Sequence, residues 1–262
     1  MTNKQQRIVF LLMGINALVF AVIFLLVGSN QRLAVDDFHY LIKTQELGIW
    51  DSTVYYFNNW NTRWASTMVR SGLLDFGISL FVVNICSLIL GLVSIKSFIS
   101  TIISPTRIPF TSNQQWIVAA YLLMAVFYTT FGKADSWFWL SAVPSYLWGC
   151  FAALLGGSIL LKESKSVSRY LAITGLFIYV GGSSESVALA TIISLCYLGF
   201  ISHKRKLQID INRKALHLAT VSCFISFGIC LMGPGLDVRK EFLPQYPSVS
   251  YTHLTLPTIY SV

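Results

Sequence analysis

"IVFLLMGINALVFAVIFLLVGS", residues 8–29, carries no charged side chain and is long enough to cross the roughly 30 Å hydrocarbon core of a bilayer as one helix. Lys4 and Arg7 stand just before it. A secretory signal peptide opens in the same way. The apolar run here outlasts the roughly 7–15 residues of such a peptide's core, and no A-x-A cleavage site follows, so an uncleaved anchor helix is expected.

The same reading extends along the chain. Apolar windows recur at 72–95, 115–131, 145–161, 170–182, 187–201 and 215–234, the fifth and sixth of the resulting set being short. No segment alternates with the period of two that a barrel strand requires, and lipid offers unpaired backbone groups no partner, so helices are the expected spans. Of 262 residues, 55% are hydrophobic and 11% are charged. Soluble domains carry about 25% charged residues. The expected class is an all-α, polytopic integral membrane protein with about seven transmembrane helices.

The net charge of +8 takes its meaning from where the basic residues fall. With the N-terminus cytoplasmic, the inner connections hold Lys4, Arg7, Lys96, Arg107, Lys162, Lys165, Arg169 and the basic run 203–214, "HKRKLQIDINRK". The outer ones hold Arg32, Lys43, Arg63, Arg70, Lys133, Arg239 and Lys240 over more residues, as the positive-inside rule predicts. Only Glu163 and Asp210 among the acids fall inside. The basic run therefore reads as a cytoplasmic stop signal in contact with anionic membrane lipids rather than as a nucleic-acid surface. The five cysteines, Cys86, Cys150, Cys196, Cys223 and Cys230, all lie in apolar windows without C-x-x-C or Cys/His spacing, which suits packing.

The segment "VSYTHLTLPT", 249–258, resembles residue for residue the translation of a transposase-type sequencing adaptor. Residues 248–262 are therefore expected to be a non-native tail, and residues 1–247 the N-terminal part of a longer multi-spanning membrane domain.

Unusual chemistry concentrates in three outer connections. The first, 30–71, contains "VDDFHY" and "NNWNTRW", and its mix of Trp, Tyr, Asn and Arg suits a helix lying in the membrane interface. Asp36 and Asp37 suit two roles: solvated carboxylates with an N-cap function, or a general base or cation ligand at a cavity mouth. Arg63 suits interfacial anchoring beside Trp60 and Trp64, or a bidentate hold on phosphate with Trp60 and Asn61 against a sugar. The second connection, "GKADSWFWLSAVPSYLW" (132–148), joins Lys133 and Asp135 to Trp139, Tyr146 and Trp148. Pro144 suits a helix start with Ser141 as a cap, making a re-entrant turn conceivable beside an aromatic belt. The third, "GGSSES" (181–186), sets Glu185 between two short spans, where it is either a solvated turn residue or a carboxylate at membrane depth paired with Arg63 or Lys133.

The order of Asp36-Asp37, then Trp60-Asn61-x-Arg63, then Trp139-Leu140 with Tyr146-Leu147-Trp148, then Gly182, Glu185 and Ser186 resembles a bacterial family of multi-spanning membrane proteins of unknown function. That family is in turn similar to the GT-C class of membrane glycosyltransferases. Thr62, Ser145, Ser184 and Ser186 stand here where the family pattern has Gly, Asn, Asn and Asn. The resemblance implies a GT-C-like fold in the bacterial inner (plasma) membrane, with a site facing outside that transfers a sugar, with inversion, from a polyprenyl-phosphate donor to a cell-envelope acceptor. Asp36 or Asp37 would be the base, or a ligand to a divalent cation in members that use one. Arg63, helped by Lys133, would meet the lipid phosphate; Trp139, Tyr146 and Trp148 would wall the sugar or prenyl chain; Glu185 would orient a hydroxyl or Arg63. Two rivals use the same residues without chemistry: a flippase of a lipid-linked saccharide, and a non-enzymatic membrane subunit.

Overall fold

The computed structural model describes residues 3–34, 36–103, 110–162, 166–203 and 212–242. Within them every regular element is helical: α1 (Asn3–Ser29), α2 (Asp36–Asn59), α3 (Trp64–Asp75), α4 (Leu80–Ile103), α5 (Ser112–Thr129), two π-helical turns (Ala134–Phe138 and Val143–Leu147), α6 (Trp148–Leu160), α7 (Val167–Gly181), α8 (Glu185–His203), α9 (Arg213–Met232) and α10 (Gly235–Phe242). The expected adaptor-like tail, Arg107, Glu163, Lys165 and the centre of the basic run, 204–211, lie outside the described residues.

Among the described residues five segments are long and apolar enough to cross a membrane: Lys4–Ser29, Leu80–Ile103, Val143–Leu160, Glu185–His203 and Arg213–Met232. Four of them match expected windows to within a few residues, and the fifth, Leu80–Ile103, is shifted eight residues toward the C-terminus from the expected 72–95, because 72–75 are the last turn of α3. The other two expected windows fall on α5 and α7. The first turn of α5 is polar, "SNQQ", because Thr111 and Gln114 cap each other's backbone there and start the helix ahead of its apolar run. The 15 residues of α7 rise about 22 Å, short of a full bilayer core. Large apolar side chains face away from the bundle, Leu11, Leu18 and Leu26 of α1 among them, each more than 60% exposed. A helix surface of that kind suits lipid rather than water.

Helix ends show how the bundle is threaded. Gly28 at the end of α1 meets Asn84 near the start of α4. Arg169 at the start of α7 donates to the carbonyls of Ile159 and Leu160 at the end of α6. Tyr170 meets Asn212 at one end of α7 and α9, and Gly181 meets Ser226 toward the other. The ends of α1, α7 and α9 and the starts of α4, α6 and α8 therefore gather at one end of the molecule, together with α2, α3, both π-helical turns and α10. Among the described residues three apolar clusters hold the molecule: Tyr40, Tyr56, Leu74, Val83, Leu140 and Val143 join α2 and α3 to the bundle, and two more lie within it. One packs Leu160, Ile173, Phe177, Leu195 and Ala219 of α6 to α9, and the other packs Phe24, Leu88, Leu123, Trp137 and Phe151 around α1, α4 and α5. Small residues set the helix separations, as expected where apolar burial from water is not the driving force: a Cβ on Gly91 would lie 2.7 Å from Leu123 Cδ1 and 2.8 Å from Phe151 Cζ.

The first outer connection is two helices rather than one. At Gly48 the chain of α2 turns sharply, with φ 77° and ψ 178°, a conformation that glycine adopts without a Cβ penalty. The second connection is protein-covered: Trp137 and Leu140 are fully buried, and Pro144 sits inside the second π-helical turn, which runs directly into α6. Ser141 caps no helix; its hydroxyl is used elsewhere, as described next.

Candidate functional site

Helix α3 inverts the usual amphipathic rule. Its buried face carries Ser66, Thr67, Arg70 and Ser71 beside Ala65 and Leu74. These polar groups have partners on the neighbouring outer segments. Ser145 donates to Ser66 Oγ at 3.0 Å, and Ser66 donates to the Ser183 carbonyl at 3.0 Å. Ser52 of α2 donates to Ser71 Oγ at 3.1 Å. In lipid or in a dry interior each such bond avoids the cost of an unmade one, so this hydroxyl ladder ties α3 to α2, the second π-helical turn and the 181–186 turn. Backbone contact adds to it: Ala65 N donates to the Gly182 carbonyl, and a Cβ on Gly182 would lie 2.7 Å from Ala65 Cβ.

The ladder brings the three outer motifs into one place. Arg63 Nε donates to both oxygens of Glu185, at 2.9 and 3.2 Å, and its Nη2 lies 2.9 Å from Glu185 Oε2. Its Nη1 donates to Tyr146 Oη at 2.6 Å. Burial works against the charge of Arg63, but the Glu185 carboxylate and Tyr146 outweigh it, and the guanidinium is held above its ordinary range. Of the two counter-charges considered for Glu185, Arg63 is the one in contact. Asn61 is spent on structure: its Nδ2 donates to Tyr40 Oη at 2.6 Å and its Oδ1 accepts from Arg63 N and Thr67 Oγ1.

The paired aspartates part company. Asp37 is fully buried, so it is no solvated loop residue. Its Oδ1 accepts from Ser141 Oγ at 2.6 Å and its Oδ2 from Ala34 N at 3.1 Å, which pins the entry of α2 to the loop after Trp139. Asp36, one residue earlier, is half-buried and faces a pocket of about 230 Å³. The pocket is enclosed by Asp36 and Tyr40 of α2, Trp60, Asn61 and Arg63, Arg70 of α3, Trp139, Ser141, Ala142, Ser145 and Tyr146, and Arg239 of α10. Six residues singled out from the sequence thus line one cavity: Asp36, Trp60, Asn61, Arg63, Trp139 and Tyr146. Glu185 reaches it through Arg63.

Three others do not. Trp148 is turned away from the pocket, its Nε1 donating to Ser87 Oγ at 2.7 Å, because the π-helical turn before it rotates the ring onto α4. Lys133 and Asp135 are exposed at the first π-helical turn, outside the cavity. Lys133 therefore gives Arg63 no help here.

Sequence reading passed over Arg70, Tyr40 and Arg239. Arg70 is 3% exposed, donates to the Ser141 carbonyl and to Thr67 Oγ1, both at 3.1 Å, and sits 3.3 Å over the Tyr40 ring. Burial lowers its pKa from the ordinary arginine value and raises that of Tyr40, in each case as the largest influence. Arg239 lies 5.1 Å from the Trp60 ring centre at the pocket wall. A signal for Arg70 exists in the sequence: Arg63, Ser66, Thr67 and Arg70 repeat at helical spacing and make one polar stripe.

A divalent cation is a poor fit to this lining. Hard cations take six or more oxygen ligands, several of them carboxylate. The pocket offers one carboxylate, Asp36, against three arginines, and Asp37 has both oxygens engaged. Among the described residues no three His, Cys, Asp or Glu side chains group as metal ligands. No family model, curated protein or solved structure matches the chain.

Proposed function

We propose that the chain is a membrane-embedded, GT-C-like glycosyltransferase that moves a sugar from a polyprenyl-phosphate donor to a cell-envelope acceptor. The observation that carries this reading is the sharing of one small pocket by Asp36, Arg63, Arg70 and four large aromatic side chains, Tyr40, Trp60, Trp139 and Tyr146. Its volume lies below the roughly 300–1,000 Å³ of drug-sized sites, so it suits a head group whose lipid chain stays in the membrane. The seven apolar helices, α1 and α4 to α9, form the membrane domain, with the N-terminus cytoplasmic and the pocket opening outside.

In the reaction Asp36 takes the proton of the acceptor hydroxyl as its oxygen attacks the anomeric carbon. The new C–O bond forms on the face opposite the leaving group, and the bond from that carbon to the phosphate oxygen breaks. The polyprenyl phosphate leaves with the electron pair. Negative charge grows on the phosphate as the bond breaks, so fixed guanidinium groups stabilise the transition state more than the ground state. Trp60, Trp139 and Tyr146 present aromatic faces and edges to the sugar. Glu185 is a positioning residue that holds Arg63. Asp37 is assigned to structure, since both its oxygens are hydrogen-bonded.

The test is transfer from a panel of polyprenyl-phosphate sugars by membrane-reconstituted protein. Asp36→Asn is expected to lower transfer about 10²- to 10⁴-fold, the usual worth of a general base, while donor binding persists. Donor bound but never turned over by the parent protein would replace this reading with the flippase.

A further inference from the structure

Among the described residues six buried side-chain polar atoms have no hydrogen-bond partner: Thr44 Oγ1, Thr62 Oγ1, Arg70 Nε, Asn84 Oδ1, Ser94 Oγ and Trp139 Nε1. Hydroxyls and amide oxygens can accept, and a hydroxyl can turn toward another partner. A guanidinium or indole nitrogen can only donate. The two obligate donors in this set belong to side chains that line the same pocket, Arg70 and Trp139. Leaving such a group unmet in a buried site costs about 1–3 kcal/mol.

Charge points the same way. Arg63, which is part-buried, is ion-paired with Glu185, whereas the fully enclosed Arg70 has no carboxylate within 4 Å among the described residues. The nearest carboxylates, Asp37 and Asp36, act on it only at longer range. Arg70 is held in place by a carbonyl, a hydroxyl and the Tyr40 ring, none of which carries a full negative charge.

We infer that the guanidinium of Arg70 and the indole N–H of Trp139 form a seat for an oxyanion of the phosphate class. The seat leaves Arg63 braced by Glu185 elsewhere in the lining, and Arg239 adds positive charge at Trp60. The inference rests on the proposed function only in tracing the phosphate to a lipid-linked donor; binding of the anion requires no turnover.

The experiment is thermal unfolding of the full chain in detergent micelles, titrated with inorganic phosphate at constant ionic strength, with chloride as reference. A second arm uses lipid nanodiscs with and without polyprenyl phosphate. Phosphate is expected to raise the midpoint saturably in the parent protein. Trp139→Phe removes one unmet donor, so it leaves the basal midpoint unchanged or higher and weakens phosphate about tenfold, the worth of one bond to a charged group. Arg70→Gln abolishes the response; should that variant fail to fold, Trp139→Phe decides alone. A response to both probes assigns the oxyanion itself, and a response only to polyprenyl phosphate assigns the lipid head group. A wild-type response in Trp139→Phe, or none to either probe in the parent, overturns the seat. Phosphate binding without transfer from any donor supports the seat and overturns the transferase reading.

Discussion

Asp36 and Asp37 are neighbours with the same chemistry and opposite fates, because consecutive residues at the start of a helix point about 100° apart. One faces the pocket, and the other is sealed against Ser141 and the Ala34 amide. Asp37→Asn keeps an acceptor for one of these donors and presents N–H to the other. A loss of about 1.5–3 kcal/mol in unfolding stability is expected, with a lower thermal midpoint, whereas Asp36→Asn leaves the midpoint unchanged. Equal destabilisation by both would contradict the division of roles. Glu185 makes a separate case. The Arg63–Glu185 pair is a quarter to a third exposed, so Glu185→Gln is expected to cost under about 1 kcal/mol in stability. Its effect belongs in turnover, since Arg63 loses its brace: transfer should fall about tenfold at saturating donor, with rescue by Glu185→Asp incomplete because the shorter side chain retracts the carboxylate. The pairing of two residues 122 apart in the chain was not legible from spacing; only the oddity of a carboxylate between two short spans marked Glu185.

At the scale of elements, contact between the 181–186 turn and α3 sets the geometry of the site. Gly182 lies against the Trp64 ring at 2.8 Å and Ala65 Cβ at 2.7 Å from where its Cβ would be. Gly182→Ala forces α3 away from the turn and is expected to cost about 1–3 kcal/mol, with transfer falling as Arg63 and Glu185 separate. Gly157 of α6 has open space around the same position, so Gly157→Ala is expected to be neutral or stabilising by up to about 1 kcal/mol. Melting curves of the two variants side by side check the contrast, and similar midpoints would refute it. Helix starts carry local signals at Thr111 with Gln114, Ser166 and Asn212, each acting within its own first turn, which apolar windows beginning at 115, 170 and 215 do not register. The π-helical turns carry no such signal. Trp137 packs into the core of α1, α4 and α5, whereas Leu140 and Val143 pack against Tyr40 and Tyr56 of α2, Leu74 of α3 and Val83 of α4, and nothing in "DSWFWLSAVPSYL" alone selects a five-residue turn over a plain helix.

Across the whole molecule, the helix ends imply that one face of the bundle carries every outer motif. In a cysteine-free background, single cysteines at Lys133 and Ser186 are expected to react with an impermeant thiol reagent from one side of a sealed vesicle. Cysteines at Ser166 and His203 should react only from the other. Labelling of Lys133 and Ser166 from the same side would break the arrangement. By itself the sequence determined the all-helical class, because runs such as 8–29 have no charge to solvate and no period that a strand could use. It also showed that the aromatic, Arg and carboxylate motifs gather in the connections and at the first turns of the apolar segments that follow them, where Tyr146, Trp148 and Glu185 stand. Which of these side chains meet was decided only by tertiary structure. The hydroxyl ladder along α3 folds three connections, distant in sequence, onto one pocket. That packing also selects Asp36 over Asp37, removes Lys133, Asp135 and Trp148, and admits Arg70, whose burial depends on neighbours that no local pattern specifies.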